Sequence, residues 1–161
     1  MGLVEGLRGS LVAALAILLI LVSIETLGVR HPLNLSVMTF LVAVAVYVYV
    51  NFREALGEPW FNRLAPPIIA ASGLGVSLLW AGFDMGAVVI AAAYFGEPIL
   101  GYFVYKRLRE VDKTWAIVFL SSAAAYAYTL PLVLYNLWAL PAAADGVKTA
   151  ALVYFLWRLG R

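Results

Sequence analysis

The sequence predicts an all-α integral membrane bundle of about six transmembrane helices, and three observations carry that prediction. The 161 residues are 65% hydrophobic and only 12% charged, whereas soluble domains are about 45–50% apolar and about 25% charged. The apolar residues fall in runs near the ~20 residues that a helix needs to cross a ~30 Å hydrocarbon core. The basic residues cluster between alternate runs. Length and continuity make residues 1–161 a single transmembrane domain.

The first run covers about residues 10–29. Arg8 before an apolar stretch fits a signal peptide, but Glu25 and Arg30 follow without a small-x-small cleavage site, so a retained span is expected. The second run is about 35–52, with Tyr47 and Tyr49 near its end. The third, about 66–83, opens on Pro66 and Pro67, where the missing N–H is tolerated. The fourth is about 85–105. The fifth, about 115–140, contains Pro131. The last, about 147–159, would reach only about 20 Å at 1.5 Å per residue. It reads as a short sixth span, or as a helix lying in the interface.

Basic residues orient the bundle, because cytoplasmic loops are enriched in Lys and Arg. With six alternating spans, Arg8, Arg53, Arg63, Lys106, Arg107, Arg109, Lys113, Arg158 and Arg161 fall on one side. Only Arg30 and Lys148 fall on the other. Both termini are therefore expected in the cytoplasm, with the chain in the plasma membrane. Tyr102, Tyr105 and Trp115 lie near one boundary and Trp80, Tyr135 and Trp138 near the other, as expected of amphipathic rings at the headgroup layer.

The composition also excludes chemistries. A net charge of +2 supplies no broad basic face for nucleic acid. Without cysteine there are no disulfides, thiolate metal sites or cysteine nucleophiles. A single histidine, His31, excludes a His-rich metal site. No metal and no cofactor are expected. The many Ala, Val, Leu and Arg, with no Cys, suit a thermophile.

One residue stands out as chemistry. Glu97 lies deep in the fourth run, and an ionisable group at membrane depth is a functional-site hypothesis by default. No cation at membrane depth is apparent for it, so it is expected to be protonated at neutral pH or to face a wet cavity. Its expected partners are hydroxyls: Tyr94 one turn back, and Ser121, Ser122, Tyr126, Tyr128 and Thr129 on the next span. Gly96-Glu97-Pro98 predicts a mid-membrane helix break, because Pro98 has no N–H to return to the Tyr94 carbonyl. A second break is expected at Pro131, with Asn136 beyond it lining a polar cavity or bonding across helices. Such breaks persist where protein or water satisfies the backbone. Glu97 is read either as a proton carrier or substrate anchor, or as a structural acid tying two helices together.

The remaining polar residues read as structural. Glu25 is expected to reach the interface or pair with Arg30, and Asp84 to cap the fourth helix. Asn34-Leu35-Ser36 is a glycosylation sequon on the side away from the termini. Gly2, Gly6, Ser10 and Ala14 recur every four residues and form the best candidate for a self-association face or for contact with other membrane subunits. Ala71 with Gly75, Gly82 with Gly86, and Ala123 with Ala127 read as internal packing.

The segment Tyr94-Phe95-Gly96-Glu97-Pro98-Ile99-Leu100-Gly101 resembles a Phe-Gly-Glu-Pro segment of an uncharacterised family of archaeal polytopic membrane proteins. The resemblance covers part of one helix. It implies a membrane fold and an archaeal source, and no activity.

Two functions follow. One is a small carrier or transport subunit with Glu97 beside a broken helix. The other is a non-catalytic accessory subunit of a larger membrane assembly, such as a respiratory one. A lipid-modifying enzyme is least supported, because catalysis needs two or more convergent polar groups and only Glu97 stands out.

Overall fold

A computed structural model describes residues 2–161. Seven α-helices and one 3-10 segment make up six membrane-length spans. These are α1 (Gly2–Leu27), α2 (Pro32–Leu56), α3 (Pro59–Trp80), α4 (Met85–Tyr94) continued by α5 (Glu97–Leu108), α6 (Lys113–Thr129) continued by the 3-10 segment Leu130–Tyr135, and α7 (Ala139–Leu159).

The connections are short and their chemistry is local. His31 precedes α2 in extended conformation, and its Nδ1 accepts the Leu33 N–H, with Pro32 opening the helix. Gly57 ends α2 at φ 62°, a left-handed turn that glycine adopts without strain. Asp112 caps α6 by accepting the Trp115 N–H at 3.0 Å.

These short turns make an up-and-down ring. α1 packs on α2, α2 on α3, α3 on α4, α5 on α6 and α6 on α7, and α7 closes the ring on α1. Both termini therefore lie at one end of the bundle. The α3–α4 hairpin is held by reciprocal glycines: a Cβ on Gly86 would sit 2.4 Å from the Gly75 carbonyl oxygen, and a Cβ on Gly75 would sit 2.8 Å from that of Gly86. The stripe of Gly2, Gly6, Ser10 and Ala14 is likewise spent inside the chain. A Cβ on Gly6 would overlap the Phe52 ring at 2.4 Å, one on Gly2 would meet the Asn51 carbonyl oxygen at 2.7 Å, and Ala14 is fully buried. Of the face the sequence offers for self-association, Gly2 and Gly6 seat α2 and Ser10 lines the interior of the ring.

Outward faces are as apolar as inward ones. On α1, Val12, Leu15, Leu19 and Val22 are exposed while Leu7, Ala14, Ile17 and Leu21 are buried. A helix that is hydrophobic all round belongs in lipid unless protein covers it. Buried apolar side chains form two clusters, one around Leu7, Phe52, Phe61, Leu108 and Phe155 towards the termini, the other around Ile17, Leu21, Leu41 and Tyr126.

Span boundaries depart from the sequence reading in three places. α3 begins at Pro59, so Pro66 and Pro67 lie about two turns inside it. The fifth span does not run to Leu140: the α-helix stops at Thr129, the 3-10 segment holds Pro131, and Asn136 turns the chain at φ 62°. The last helix is not short. α7 has 21 residues and includes Asp145 and Lys148 in mid-span. Hydropathy suggested an end at Val147 because two charges interrupt the run, but those charges are matched inside the bundle.

Candidate functional site

The break at Gly96-Glu97-Pro98 is present. α4 ends at Tyr94, Phe95 and Gly96 form a turn, and Glu97 is the first residue of α5. The Phe95 and Gly96 amides reach the carbonyls of Ala92 and Ala93, three residues back, which tightens the chain before proline. Gly96 is required for packing as well: a Cβ there would lie 2.3 Å from Ile68 Cδ1 on α3. Glu97 thus sits midway along the Met85–Leu108 span, directed inward.

Its partner is a cation. Lys148 Nζ on α7 donates to Glu97 Oε1 at 2.9 Å and lies 2.7 Å from Asp145 Oδ1, one turn earlier on its own helix. The Lys148 side chain is 6% exposed and that of Asp145 0%, against 29% for Glu97. The sequence expectation that Glu97 lacks a cation is therefore wrong. Lys148 is not a loop residue on the side opposite the termini but lies at the depth of Glu97. The geometry to Asp145 is that of an ion pair rather than a directed hydrogen bond. Neither Asp145 oxygen receives a hydrogen bond, nor does Glu97 Oε2.

Two tyrosines frame this triad. The Lys148 ammonium lies 4.6 Å from the centre of the Tyr126 ring, within cation–π range. Tyr94 packs edge-on against Tyr126 with ring centres 5.6 Å apart. Tyr94 and Tyr126 therefore stand beside the triad as ring surfaces, rather than as the hydroxyl partners of Glu97 that the sequence suggests.

The other expected partners do not reach Glu97. The Ser121, Ser122 and Thr129 hydroxyls donate to the carbonyls of Val118, Phe119 and Ala125 on their own helix. Tyr128 is 65% exposed and packs on Phe95. Asn136 is exposed at the turn before α7, away from the cavity that Glu97 lines.

Glu97 and Lys148 form part of the wall of a cavity of about 230 Å³ inside the ring, to which all seven α-helices contribute. Its wall shares Phe52 and Phe61 with one apolar cluster and Ile17 and Leu41 with the other. The wall is overwhelmingly hydrocarbon. Of its two serines, Ser10 donates to Gly6 O and Ser72 to Ile68 O, so neither hydroxyl hydrogen is free for a ligand. Among the described residues no group of three or more His, Cys, Asp or Glu is arranged to hold a metal ion.

The remaining polar residues are structural, in part differently from the expectation. Arg30 pairs with Asp84, not with Glu25. Asp84 makes no side-chain cap to α4, and its carboxylate is 88% exposed. Asn34 of the sequon is 1% exposed. Its amide donates to Gly28 O at 2.8 Å and its carbonyl accepts from Ser23, which ties α1 to α2 and leaves no acceptor for a glycan.

Asp145 and Lys148 are the site residues that the sequence reading missed. The signal was available: they are the only charges in the interior of the last helix, of opposite sign and three residues apart, hence on one face. Comparison with protein-family models, with curated proteins and with solved structures finds no match to this chain.

Proposed function

We propose that this chain is a small multi-pass carrier whose ring lumen holds a proton-binding site made by Glu97, Asp145 and Lys148. The observation that carries the reading is a buried lysine joined to two carboxylates at mid-span, on the wall of a cavity reached by every helix. Ionised carboxylates and ammonium groups are expensive in a low-dielectric interior and persist when they match one another. Here they do not match: two carboxylates face one lysine, and one proton makes the triad neutral. A single ion pair would serve if the purpose were to bind α5 to α7. The second acid is what a proton-exchanging site requires. A ring that closes on itself around its own polar group also suits a carrier better than a packing subunit.

The orientation belongs to the same proposal. With Lys148 assigned to the interior, nine of the eleven basic residues lie at the end that bears the termini and only Arg30 at the other. This bias favours cytoplasmic termini in a plasma membrane. The broken α4–α5 span, with Glu97 at the start of its second half, resembles the discontinuous helices that line transporter sites.

The test is a pH jump applied to proteoliposomes adsorbed on a supported membrane. Wild type is expected to give a transient current as protons bind within the bilayer, and Glu97→Gln to abolish it. Equal transients in the two proteins would overturn the reading.

A further inference from the structure

We infer that the cavity takes a lipophilic monocation, an alkylammonium with a short hydrocarbon tail, in exchange for the proton of the triad. This rests on the carrier reading above and names its substrate class.

With Glu97, Asp145 and Lys148 all ionised, the site carries one uncompensated negative charge. One proton cancels it, and so does one monovalent cation. A bound anion would add a second uncompensated charge, and a neutral ligand would leave the first in place unless the proton stayed. Only a cation can replace the proton at constant site charge: one ammonium enters as one proton leaves.

Hydrogen bonding agrees. Glu97 is the one carboxylate on the cavity wall, its Oε2 receives no hydrogen bond, and a buried carboxylate oxygen without a donor is costly. The site is short of donors, and an ammonium brings three N–H groups. Lys148 cannot fill this role alone, since it already spans both acids and lies on the Tyr126 ring.

The rest of the cavity selects the tail. Its wall includes the rings of Phe52, Phe61 and Phe119 and aliphatic side chains, which match hydrocarbon and offer aromatic faces to a cation. An apolar cavity of about 150 Å³ accepts benzene. On that scale about 230 Å³ holds roughly nine or ten non-hydrogen atoms, the size of octylammonium. The charged or titratable groups facing Glu97 are Tyr94 on α4, Tyr126 on α6, and Asp145 and Lys148 on α7. Tyr49 on α2 is the one other titratable residue of the wall, and α1 and α3 contribute none.

The test is calorimetric titration of the full chain in detergent with octylammonium, 1-octanol and octanoate, each in two buffers of different ionisation enthalpy. Octylammonium is expected to bind with release of about one proton, and to bind more tightly as pH rises. The alcohol should bind weakly and without proton release, and octanoate not at all. In Glu97→Gln, octylammonium affinity is expected to fall by about tenfold or more, the loss of a hydrogen bond to a charged group. Asp145→Asn serves as a second variant and should also lose proton release. Octanol binding as tightly as octylammonium, or octylammonium binding without proton release, would overturn the inference. If the pH-jump transient of wild type persists and depends on Glu97, the carrier reading survives that failure. If the transient is also absent, both fall.

Discussion

Two lysines in this bundle hold carboxylates from distant segments of the chain, and they differ mainly in depth. Lys148 joins Glu97 and Asp145 at mid-span with its side chain 6% exposed. Lys106 joins Glu58 at the termini end, where the two side chains are 43% and 28% exposed. The chemistry is the same, ammonium to carboxylate, but the surroundings are not. At the end of the bundle water and salt screen the pair. At mid-span the Lys148 and Asp145 side chains are shut away from solvent, so a missing partner is poorly compensated and the interior lysine is held to its acids by the cost of separating them. An end pair adjusts a boundary, whereas an interior triad with an odd charge can be switched by one proton.

The largest expected effect follows. Lys148→Met leaves two carboxylates buried without a cation. Breaking a buried pair from one side costs about 3–5 kcal/mol, and unfolding in mixed micelles should register a loss of that order. The triple variant Glu97→Leu, Asp145→Leu, Lys148→Met should recover most of it, because removing all the charges removes the desolvation cost with them. A Lys148→Met protein as stable as wild type would mean that water reaches the triad freely, and the contrast between the two lysines would collapse.

The same contrast explains what the sequence could disclose. Six spans, the break at Pro98 and the importance of Glu97 all register along one helix at a time, in hydropathy and in proline chemistry. Hydropathy alone shortens the sixth span, because Asp145 and Lys148 interrupt its apolar run. Hydropathy counts charges singly, whereas the bundle counts them after pairing. The Lys148–Glu97 contact joins residues 51 apart in the chain and depends on α5 and α7 both packing on α6, which no local pattern reveals. The Gly2, Gly6, Ser10 and Ala14 stripe is legible as a contact surface, but a periodicity names no partner: Gly2 and Gly6 meet α2, whereas Ser10 faces the cavity.

Between the two lysines in depth of effect stands Asp112, at the entrance to α6. It accepts the Trp115 N–H at 3.0 Å and the Tyr154 hydroxyl at 2.8 Å, and Tyr154 stacks on Trp115 with ring centres 4.6 Å apart. The Trp115 N–H, then the Tyr154 hydroxyl, stabilise the ionised form and hold its pKa below the ordinary aspartate value. A carboxylate whose folded pKa is lowered contributes stability above its unfolded pKa and loses it as pH falls through the folded one. Asp112→Asn should therefore lower the unfolding temperature above about pH 4, the ordinary aspartate range. The difference from wild type should shrink as pH falls further. A deficit that is constant with pH would assign the contact to hydrogen bonding alone, without a charge contribution.

The smallest effect belongs to the outer lysine. Lys106 on α5 donates to Glu58, the residue that precedes α3, and its ammonium also lies 6.0 Å from the Phe103 ring centre. Exposed pairs of this kind contribute about 0–1 kcal/mol. Lys106→Met should change stability by no more than that. Because the pair is screened, what loss there is should fade with added salt, whereas the Lys148→Met loss should not. If both losses respond equally to salt, the interior triad is as well solvated as the boundary pair, and its single odd charge no longer demands a proton.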